Sequence, residues 1–370
     1  QGKQDSNEIG DFFYEPPTGY LALCTKNLPD VAVTPSEHFN TVLWTGTGSA
    51  ISVSGVNFQP SLVWGKNRAE TWNNYLFDAV RGTGKLLQSN LTNAETNNDV
   101  WGYLSAFNSD GFSLSAGSSG IDQVNDNSDA YVAWNWKANG SGSSNTNGSI
   151  NSTVSANVDA GFSIVSYTGN GAGSATVGHG LSAAPEMIFI KGRSAASGWR
   201  VYHTSLSSGK VLKLESTGAE VTDDSFGTHT ATNIALGSNG SVIDNNVTFI
   251  AYCFHSVDGY SAVGSYIGNS NADGTFIYTG FRPAFILVKS STEVRNWHNM
   301  DSTRNPNNPA NHVLWANRSN AEYSDNAYTD VDFLSNGFKL RNNDTAMNNN
   351  GQTHIYIAFA ETPFKYSNAR

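Results

Sequence analysis

The chain repeats one sequence pattern three times, and this repetition limits the folds that it can adopt. In each copy a proline precedes a lysine by six residues, with an apolar run between them. Each copy then ends in an aromatic, any residue, alanine, aromatic motif. The pairs are Pro60 and Lys66, Pro185 and Lys191, and Pro283 and Lys289, and the closing motifs are residues 131–134, 249–252 and 356–359. We interpret the pattern as three tandem modules.

The spacing of the copies indicates complete domains rather than units of a solenoid. The lysines recur at intervals of roughly 100 to 125 residues, whereas solenoid repeats are about 20 to 50 residues long. A unit of about 100 residues can bury a hydrophobic core of its own. We therefore predict that each copy folds as a domain.

The composition favours β-structure. The chain has 36 glycines and only 14% charged residues, and Asn, Ser and Thr fill the segments between short apolar runs, as is typical of turns. In the run 249–254 both sets of alternate residues are apolar, so a strand there lies between two layers. We predict an all-β fold of three tandem β-sandwich modules, jelly-roll-like, with an extended N-terminal arm.

The repeats and the polar segments between them give the domain boundaries. We predict that the stretch between the first two modules is a linker, because its Gly, Ser and Asn residues offer little apolar surface for burial. We also expect modules 2 and 3 to abut, and module 1 to be more loosely tethered. The predicted ranges are an arm at 1–37, module 1 at 38–137, a linker at 138–160, module 2 at 161–256 and module 3 at 257–370.

Charge and hydropathy exclude two classes of partner. The net charge of −10 argues against nucleic acid, which is bound through clusters of Lys and Arg. No apolar run approaches the roughly 20 residues of a membrane span, and residues 1–10 lack the apolar core of a signal peptide. We therefore expect a soluble chain. The two cysteines, Cys24 and Cys253, are expected to be reduced and structural.

The whole chain resembles the C-terminal part of a family of tailed-bacteriophage virion proteins, often described as tail-fibre or structural proteins. In that family a concanavalin-A-like, SPRY-type domain precedes tandem modules of this kind. Beside the repeats, the resemblance rests on Pro-Pro-Thr-Gly-Tyr at 16–20, Leu-Ala-Leu-Cys-Thr at 21–25, Asn-Leu-Pro at 27–29, Gly-Phe-Lys-Leu at 337–340 and the run Ala-Phe-Ala-Glu-Thr-Pro-Phe-Lys-Tyr at 358–366.

The resemblance implies a non-enzymatic tail fibre or receptor-binding appendage that attaches to host-surface glycan. A structural head or tail decoration protein is the alternative, and a glycan depolymerase is a third possibility. The implied partners are other virion subunits and a host polysaccharide or receptor, and the implied oligomer is a homotrimer. The arm is similar to the end of the SPRY-like domain, so we expect the chain to be a fragment or a processed product located in the virion.

Tryptophans and ion-pairing residues after each lysine are the candidate ligand-binding positions. An Asp-x-x-Arg sequence can fix a loop that displays an aromatic face to a sugar ring, or it can brace a loop beside a core tryptophan. In module 2 the corresponding positions have drifted to His203 and Leu206. The candidates are Trp72, Asp78, Arg81, Trp199, Trp297, Asp301 and Arg304.

The remaining polar residues suggest no catalytic group and no cofactor. Scattered acids lie in turns, where solvated carboxylates belong. A calcium ion is a weaker possibility, with turn oxygens of Asp122, Asn125 and Asp126 as its ligands. We expect Lys66, Lys191 and Lys289 to lay their stems along apolar surface and to extend their ammonium groups to water.

Overall fold

The computed structural model describes residues 2–22, 33–324 and 329–361. These residues form an all-β fold in which antiparallel sheets pack as sandwiches, which confirms the predicted fold class. Three one-turn helices precede the closing strands of the three modules: α1 (Asp122–Asn125), α2 (Gly240–Ile243) and α3 (Thr345–Asn348). Across the described ranges, no helix has the length and hydropathy needed to cross a membrane.

Module 1 follows a 3₁₀ turn at Pro35–Glu37. Its larger sheet has the order β1-β9-β3-β4, and its smaller sheet has the order β2-β8-β7. A two-residue pair, β5-β6, lies beside them. The strands are β1 (Phe39–Thr45), β2 (Ile51–Ser54), β3 (Leu62–Asn67), β4 (Tyr75–Asp78), β5 (Lys85–Leu86), β6 (Thr96–Asn97), β7 (Tyr103–Asn108), β8 (Gly111–Ser115) and β9 (Ala130–Trp136).

Module 2 has a six-stranded sheet of order β10-β11-β12-β19-β14-β15 and two small pairs, β13-β18 and β16-β17. The predicted linker at 138–160 contains β10 and β11, which pair with each other and with β12. The linker prediction is therefore wrong, because backbone pairing orders a stretch with few apolar side chains. The strands are β10 (Ser143–Asn145), β11 (Ser152–Asn157), β12 (Phe162–Thr168), β13 (Ala175–Gly178), β14 (Met187–Gly192), β15 (Arg200–His203), β16 (Lys210–Val211), β17 (Val221–Thr222), β18 (Asn233–Leu236) and β19 (Thr248–Phe254).

Module 3 has a six-stranded sheet of order β20-β28-β22-β23-β24-β25 and a three-stranded sheet of order β21-β27-β26. Six residues separate it from module 2, since β19 stops at Phe254 and β20 starts at Ser261. The strands are β20 (Ser261–Ile267), β21 (Phe276–Tyr278), β22 (Pro283–Ser290), β23 (His298–Asp301), β24 (His312–Trp315), β25 (Tyr323–Ser324), β26 (Val331–Leu334), β27 (Gly337–Leu340) and β28 (Thr353–Ala360).

The closing strand of each module separates two hydrophobic cores. In β19, Phe249, Ala251 and Cys253 face a core that belongs to module 2 alone. The alternate residues of the same strand face a core to which all three modules contribute. The predicted two-sided burial is thus confirmed, but the second layer consists of the other two modules.

Aromatic rings from the three modules meet in this shared core. Trp136 of module 1, Phe254 of module 2 and Phe359 of module 3 form a triangle with ring centroids 5.6 to 6.3 Å apart. Aromatic and aliphatic side chains around it leave a cavity of only about 20 Å³, which is room for at most one water molecule. The centre of the molecule is a packed core rather than a channel.

Equivalent hydrogen bonds close the three modules into a ring. The residues immediately before β4, β15 and β23 occupy equivalent positions. The side-chain N–H of each one donates to a backbone carbonyl of another module. Because the three bonds run cyclically, module 1 is held on both sides, which corrects the expectation of a loose tether. The bonds join Trp199 Nε1 to the Gln88 carbonyl (3.0 Å), Trp297 Nε1 to the Lys213 carbonyl (3.0 Å) and Asn74 Nδ2 to the Trp315 carbonyl (3.1 Å).

The arm enters the ring only at its end, where Val33 is buried in the shared core, and the aromatic residues of its first part are exposed. Lys3 and Phe12 form an isolated antiparallel bridge. Phe13, Tyr14 and Tyr20 are 89%, 80% and 70% exposed. Residues 23–32, which include Cys24, are outside the described residues, as are residues 362–366 of the C-terminal motif.

Candidate functional site

The first predicted ion pair lies inside the interface between modules 1 and 2. Arg81 Nε donates to Asp78, and both side chains are fully buried. The other guanidinium nitrogens of Arg81 donate to Glu95 Oε2 (3.1 Å) and to the Leu76 carbonyl (2.9 Å). The predicted pairing is confirmed, and it braces the loop after β4.

Module 2 completes this network with two side chains. The Tyr252 hydroxyl donates to Asp78 Oδ2 at 2.8 Å. Arg193 Nε and Nη2 donate to the Glu95 carboxylate at 3.0 and 3.1 Å. Burial alone would raise the pKa of Glu95, but the hydrogen bonds from Arg193 and the charge of Arg81 hold that pKa below its ordinary value. The carboxylate therefore stays charged between two arginines.

The interface between modules 3 and 1 carries the same network. Arg304 pairs with Asp301 in module 3, and both side chains are fully buried. Trp134 Nε1 of module 1 donates to Asp301 Oδ2 at 3.0 Å, in the place of the Tyr252 hydroxyl. Glu322 accepts from Arg304 (2.8 Å) and from Arg68 of module 1 (2.7 Å).

Among the residues that the structure describes, the interface between modules 2 and 3 lacks this network. His203 stands at the aspartate position, and its Nε2 lies 3.3 Å from the Tyr356 carbonyl. Burial lowers the pKa of His203 to about 4, so the ring is neutral at pH 7. The arginine positions hold Leu206 and Ser291, and the partner position holds Phe359, which cannot donate. The aspartate, both arginines and the side chain that donates to the aspartate are therefore all replaced at this interface.

These contacts show whether a ligand can reach the predicted ligand-binding residues. Six of the seven are buried within interfaces, so no sugar ring can stack on them, and the ligand-binding prediction is wrong for them: Asp78, Arg81, Trp199, Trp297, Asp301 and Arg304. Trp72 is half-buried against Trp101, with ring centroids 5.9 Å apart. Trp72 is also not equivalent to Trp199 and Trp297. Those two tryptophans immediately precede β15 and β23, and the pairing of β4 with β3 places Asn74 at the equivalent position of module 1.

The three lysines are also buried, so the prediction that they reach water is wrong. Each ammonium donates to the carbonyl of the following residue and to a second carbonyl: Lys66 to Asn67 and Glu70, Lys191 to Gly192 and Thr92, and Lys289 to Ser290 and Glu293. Burial lowers the pKa of Lys66 and Lys289 to about 7 and that of Lys191 to about 8.

The residues considered for calcium serve in packing. Asp122 begins α1, and the buried Asn125 side chain accepts from Trp44 Nε1 at 3.1 Å while donating to Thr47 Oγ1 and the Ser49 carbonyl. Within residues 2–22, 33–324 and 329–361, no three His, Cys, Asp or Glu side chains are grouped as metal ligands. Cys253 is a buried free thiol.

A cleft on module 2 was not predicted from the sequence. It has a volume of about 690 Å³ between the turn 204–210 and the segment 223–229. Tyr202, Phe226 and His229 form an aromatic cluster beside it, with centroids 4.3 to 5.8 Å apart. The only sequence signal for it was the presence of Phe226 and His229 in an otherwise polar stretch.

The cleft lies where the smaller sheet of module 2 lacks a strand. Modules 1 and 3 have three-stranded smaller sheets, in which β7 and β26 occupy one edge. In module 2 the corresponding segment makes a single bridge, from Phe226 to Leu236 of β18. Backbone hydrogen bonds from Gly227 to Ala235 and from Gly237 to Ser225 hold this segment beside β18 without forming a regular strand, and the segment forms one wall of the cleft.

Comparison with known proteins identifies one family. The family described as Domain of unknown function (DUF7483) matches residues 34–363. No curated protein and no solved structure matches the chain.

Proposed function

The chain belongs to the DUF7483 family, and for this member we propose the role of a non-enzymatic virion appendage that attaches to glycan on the host surface. The observation that carries the proposal is the closed ring of three modules. Its interfaces bury the Asp–Arg pairs and tryptophans that most resemble a binding or catalytic set. These groups hold a rigid scaffold, and the outward surface consists of polar loops.

A rigid scaffold with polar loops suits attachment. Each contact with a polysaccharide is weak, and strength comes from many copies acting together on one particle. Loops carried by a stable sheet framework change in sequence without loss of the fold. The resemblance to phage virion proteins supplies the biological setting of this proposal.

The ring also bears on the homotrimer that the resemblance implies. A single chain already brings three equivalent modules around one shared core, so no second copy is needed to bury that core. A homotrimer would therefore need a further contact surface. We propose that one chain forms the threefold-like unit of the appendage.

Binding of the purified chain to host cells tests the attachment role. Fluorescently labelled protein should label the surface of host cells and block adsorption of the phage. Removal of surface polysaccharide from the cells should abolish both effects. Retention of labelling on stripped cells would contradict glycan attachment.

A structural role in the virion is the second candidate, and the arm favours it. Phe13, Tyr14 and Tyr20 are exposed aromatic side chains within a short segment, and such exposed apolar groups suit contacts with other virion subunits. Electron microscopy of intact particles, with an antibody against the ring, distinguishes the candidates. A position on the head or along the shaft supports the structural role, and a position at the tail tip supports attachment.

A further inference from the structure

The cleft of module 2 has the chemistry of a ligand site. Its aromatic members, Tyr202 and Phe226, are only partly buried, so ring surface faces the cleft. Exposed hydroxyl-bearing residues surround them: Thr204, Ser207, Ser208 and Thr228. Ligand pockets combine apolar or aromatic surface with a few polar groups that fix orientation.

His229 fixes the aromatic wall of the cleft. The side chain is only 9% exposed and lines the cleft. Its Nδ1 accepts from the Ala235 N–H at 3.1 Å, which places the ring proton on Nε2. That Nε2 is itself buried and has no hydrogen-bond partner among the described residues, so it does not donate into the cleft. The imidazole packs edge-on against Tyr202 and Phe226 and holds their rings in place.

The charges of the cleft favour an uncharged ligand. Glu186 accepts from Ser256 N–H and hydroxyl at 2.6 and 2.5 Å. Asp223 pairs with Arg200 at 3.0 Å, and Lys210 donates to Thr222 at 2.8 Å. The two carboxylates are balanced by the two cations, so the cleft has no excess positive charge for a sialic or uronic acid.

We propose that this cleft binds a neutral oligosaccharide, which stacks a ring on Tyr202 and Phe226 and exchanges hydrogen bonds with the hydroxyl groups of the rim. Carbohydrate C–H faces pack on aromatic rings, and their hydroxyls match the serines and threonines of the rim. The volume lies within the roughly 300 to 1,000 Å³ of ligand pockets, which gives room for a short oligosaccharide. This inference rests on the proposed attachment function and gives it a place on the molecule.

Saturation-transfer NMR on the full chain tests the cleft. The neutral probes are maltotriose and triacetylchitotriose, and the anionic probe is 3′-sialyllactose. We expect transfer to at least one neutral probe and at least about a tenfold weaker affinity in Tyr202→Ala. Tyr202 is half-buried, so its replacement also removes packing, and a second variant is needed. Thr204→Trp changes an exposed rim position, blocks the cleft without altering the core, and should also abolish transfer.

The matched control is Tyr278→Ala, which removes a 69% exposed aromatic ring from module 3. Its affinity should equal that of the unmodified chain. The proposal is overturned if no neutral probe shows transfer, if only 3′-sialyllactose does, or if Thr204→Trp binds as well as the unmodified chain.

Host-cell labelling separates this inference from the proposed function. If the unmodified chain and Thr204→Trp label host cells equally, the cleft is not the glycan site but attachment stands. If neutral probes bind in the cleft and the chain does not label cells, the cleft stands and attachment fails.

Discussion

Over the described part of the chain, two of the three interfaces in the ring contain a buried network of two acids and two arginines, and the third contains none. The networks lie between modules 1 and 2 and between modules 3 and 1. The length of the connection does not explain the difference, because six residues separate β9 from β10 and six separate β19 from β20. The networks occur where the facing closing motif supplies a hydrogen-bond donor to the aspartate, Tyr252 or Trp134. The comparison teaches that the ion pairs and the donor of the facing module belong together, since Phe359 at the third interface cannot donate.

The interface between modules 3 and 1 has no covalent connection of its own, so breaking its network should have the largest effect. Arg304→Leu leaves Asp301 and Glu322 as buried acids with one cation fewer. We expect a loss of about 3 to 5 kcal/mol in the free energy of unfolding, measured by urea denaturation. Arg341→Leu, which removes an exposed surface pair, should cost less than about 1 kcal/mol. Equal losses in the two variants would refute the role assigned to the network.

Acid should weaken the interface between modules 2 and 3 first. The pKa of His203 is about 4 in the folded chain and about 6.5 when unfolded, so the unfolded state binds more protons in this range. The contribution of His203 is complete above pH 6.5 and falls as the pH drops towards 4. Glu95 and Glu322, whose pKa values are lowered below the ordinary value, remain charged over most of this range.

His203→Gln tests this difference, because glutamine can donate to the Tyr356 carbonyl and accept from the Ser205 N–H as the neutral histidine does, but it does not titrate. Between pH 7 and pH 5 the unmodified chain should lose about 2 kcal/mol more stability than the variant. Urea denaturation at both pH values measures the difference. Parallel pH profiles would show that the pKa of His203 is the same in the folded and unfolded states.

The three buried lysines are a feature that the modules share, so they should respond alike. The pKa of Lys289 is about 7 when folded and about 10.4 when unfolded. Between these values the unfolded state binds more protons, so stability should rise with pH. Lys289→Met should remove about 1 kcal/mol of the rise between pH 8 and pH 9, measured by urea denaturation. An unchanged slope would contradict the lowered pKa, and Lys66→Met is the matched variant.

Much of the fold follows from local sequence. The strand predicted at 249–254 coincides with β19, because apolar residues at alternate positions mark both of its faces. No strand was predicted at the position of β7, whose pairing with β8 contains a register shift between Leu104 and Ala106. An irregular register weakens the period-two pattern on which such predictions depend.

The candidate site was less predictable, because its residues act between modules. Alternation in β19 predicts two apolar faces but does not state which element covers each. The spacing from Lys66 made Trp72 look equivalent to Trp199, whereas strand pairing assigns that place to Asn74. The cleft depends on a strand that module 2 lacks, and a single sequence gives no direct signal for a missing pairing.

Transplanting the residues of one interface into another should have the smallest effect and is the sharpest test of the comparison. The fourfold variant Asp78→His, Arg81→Leu, Arg193→Ser and Tyr252→Phe gives the interface of modules 1 and 2 the residues found between modules 2 and 3. Arg81→Leu alone leaves Asp78 and Glu95 with one cation fewer, at a cost of about 3 to 5 kcal/mol.

The complete replacement removes Asp78 together with both arginines, so no aspartate is left unpaired, and Glu95 becomes the counterpart of Glu220, which module 2 already carries without arginine partners. We therefore expect the fourfold variant to lie within about 1 kcal/mol of the unmodified chain, a strongly non-additive result for residues of one network. Urea denaturation of the four single variants and the fourfold variant measures the coupling. If the single losses simply add, the three interfaces are not alternative solutions to one packing problem.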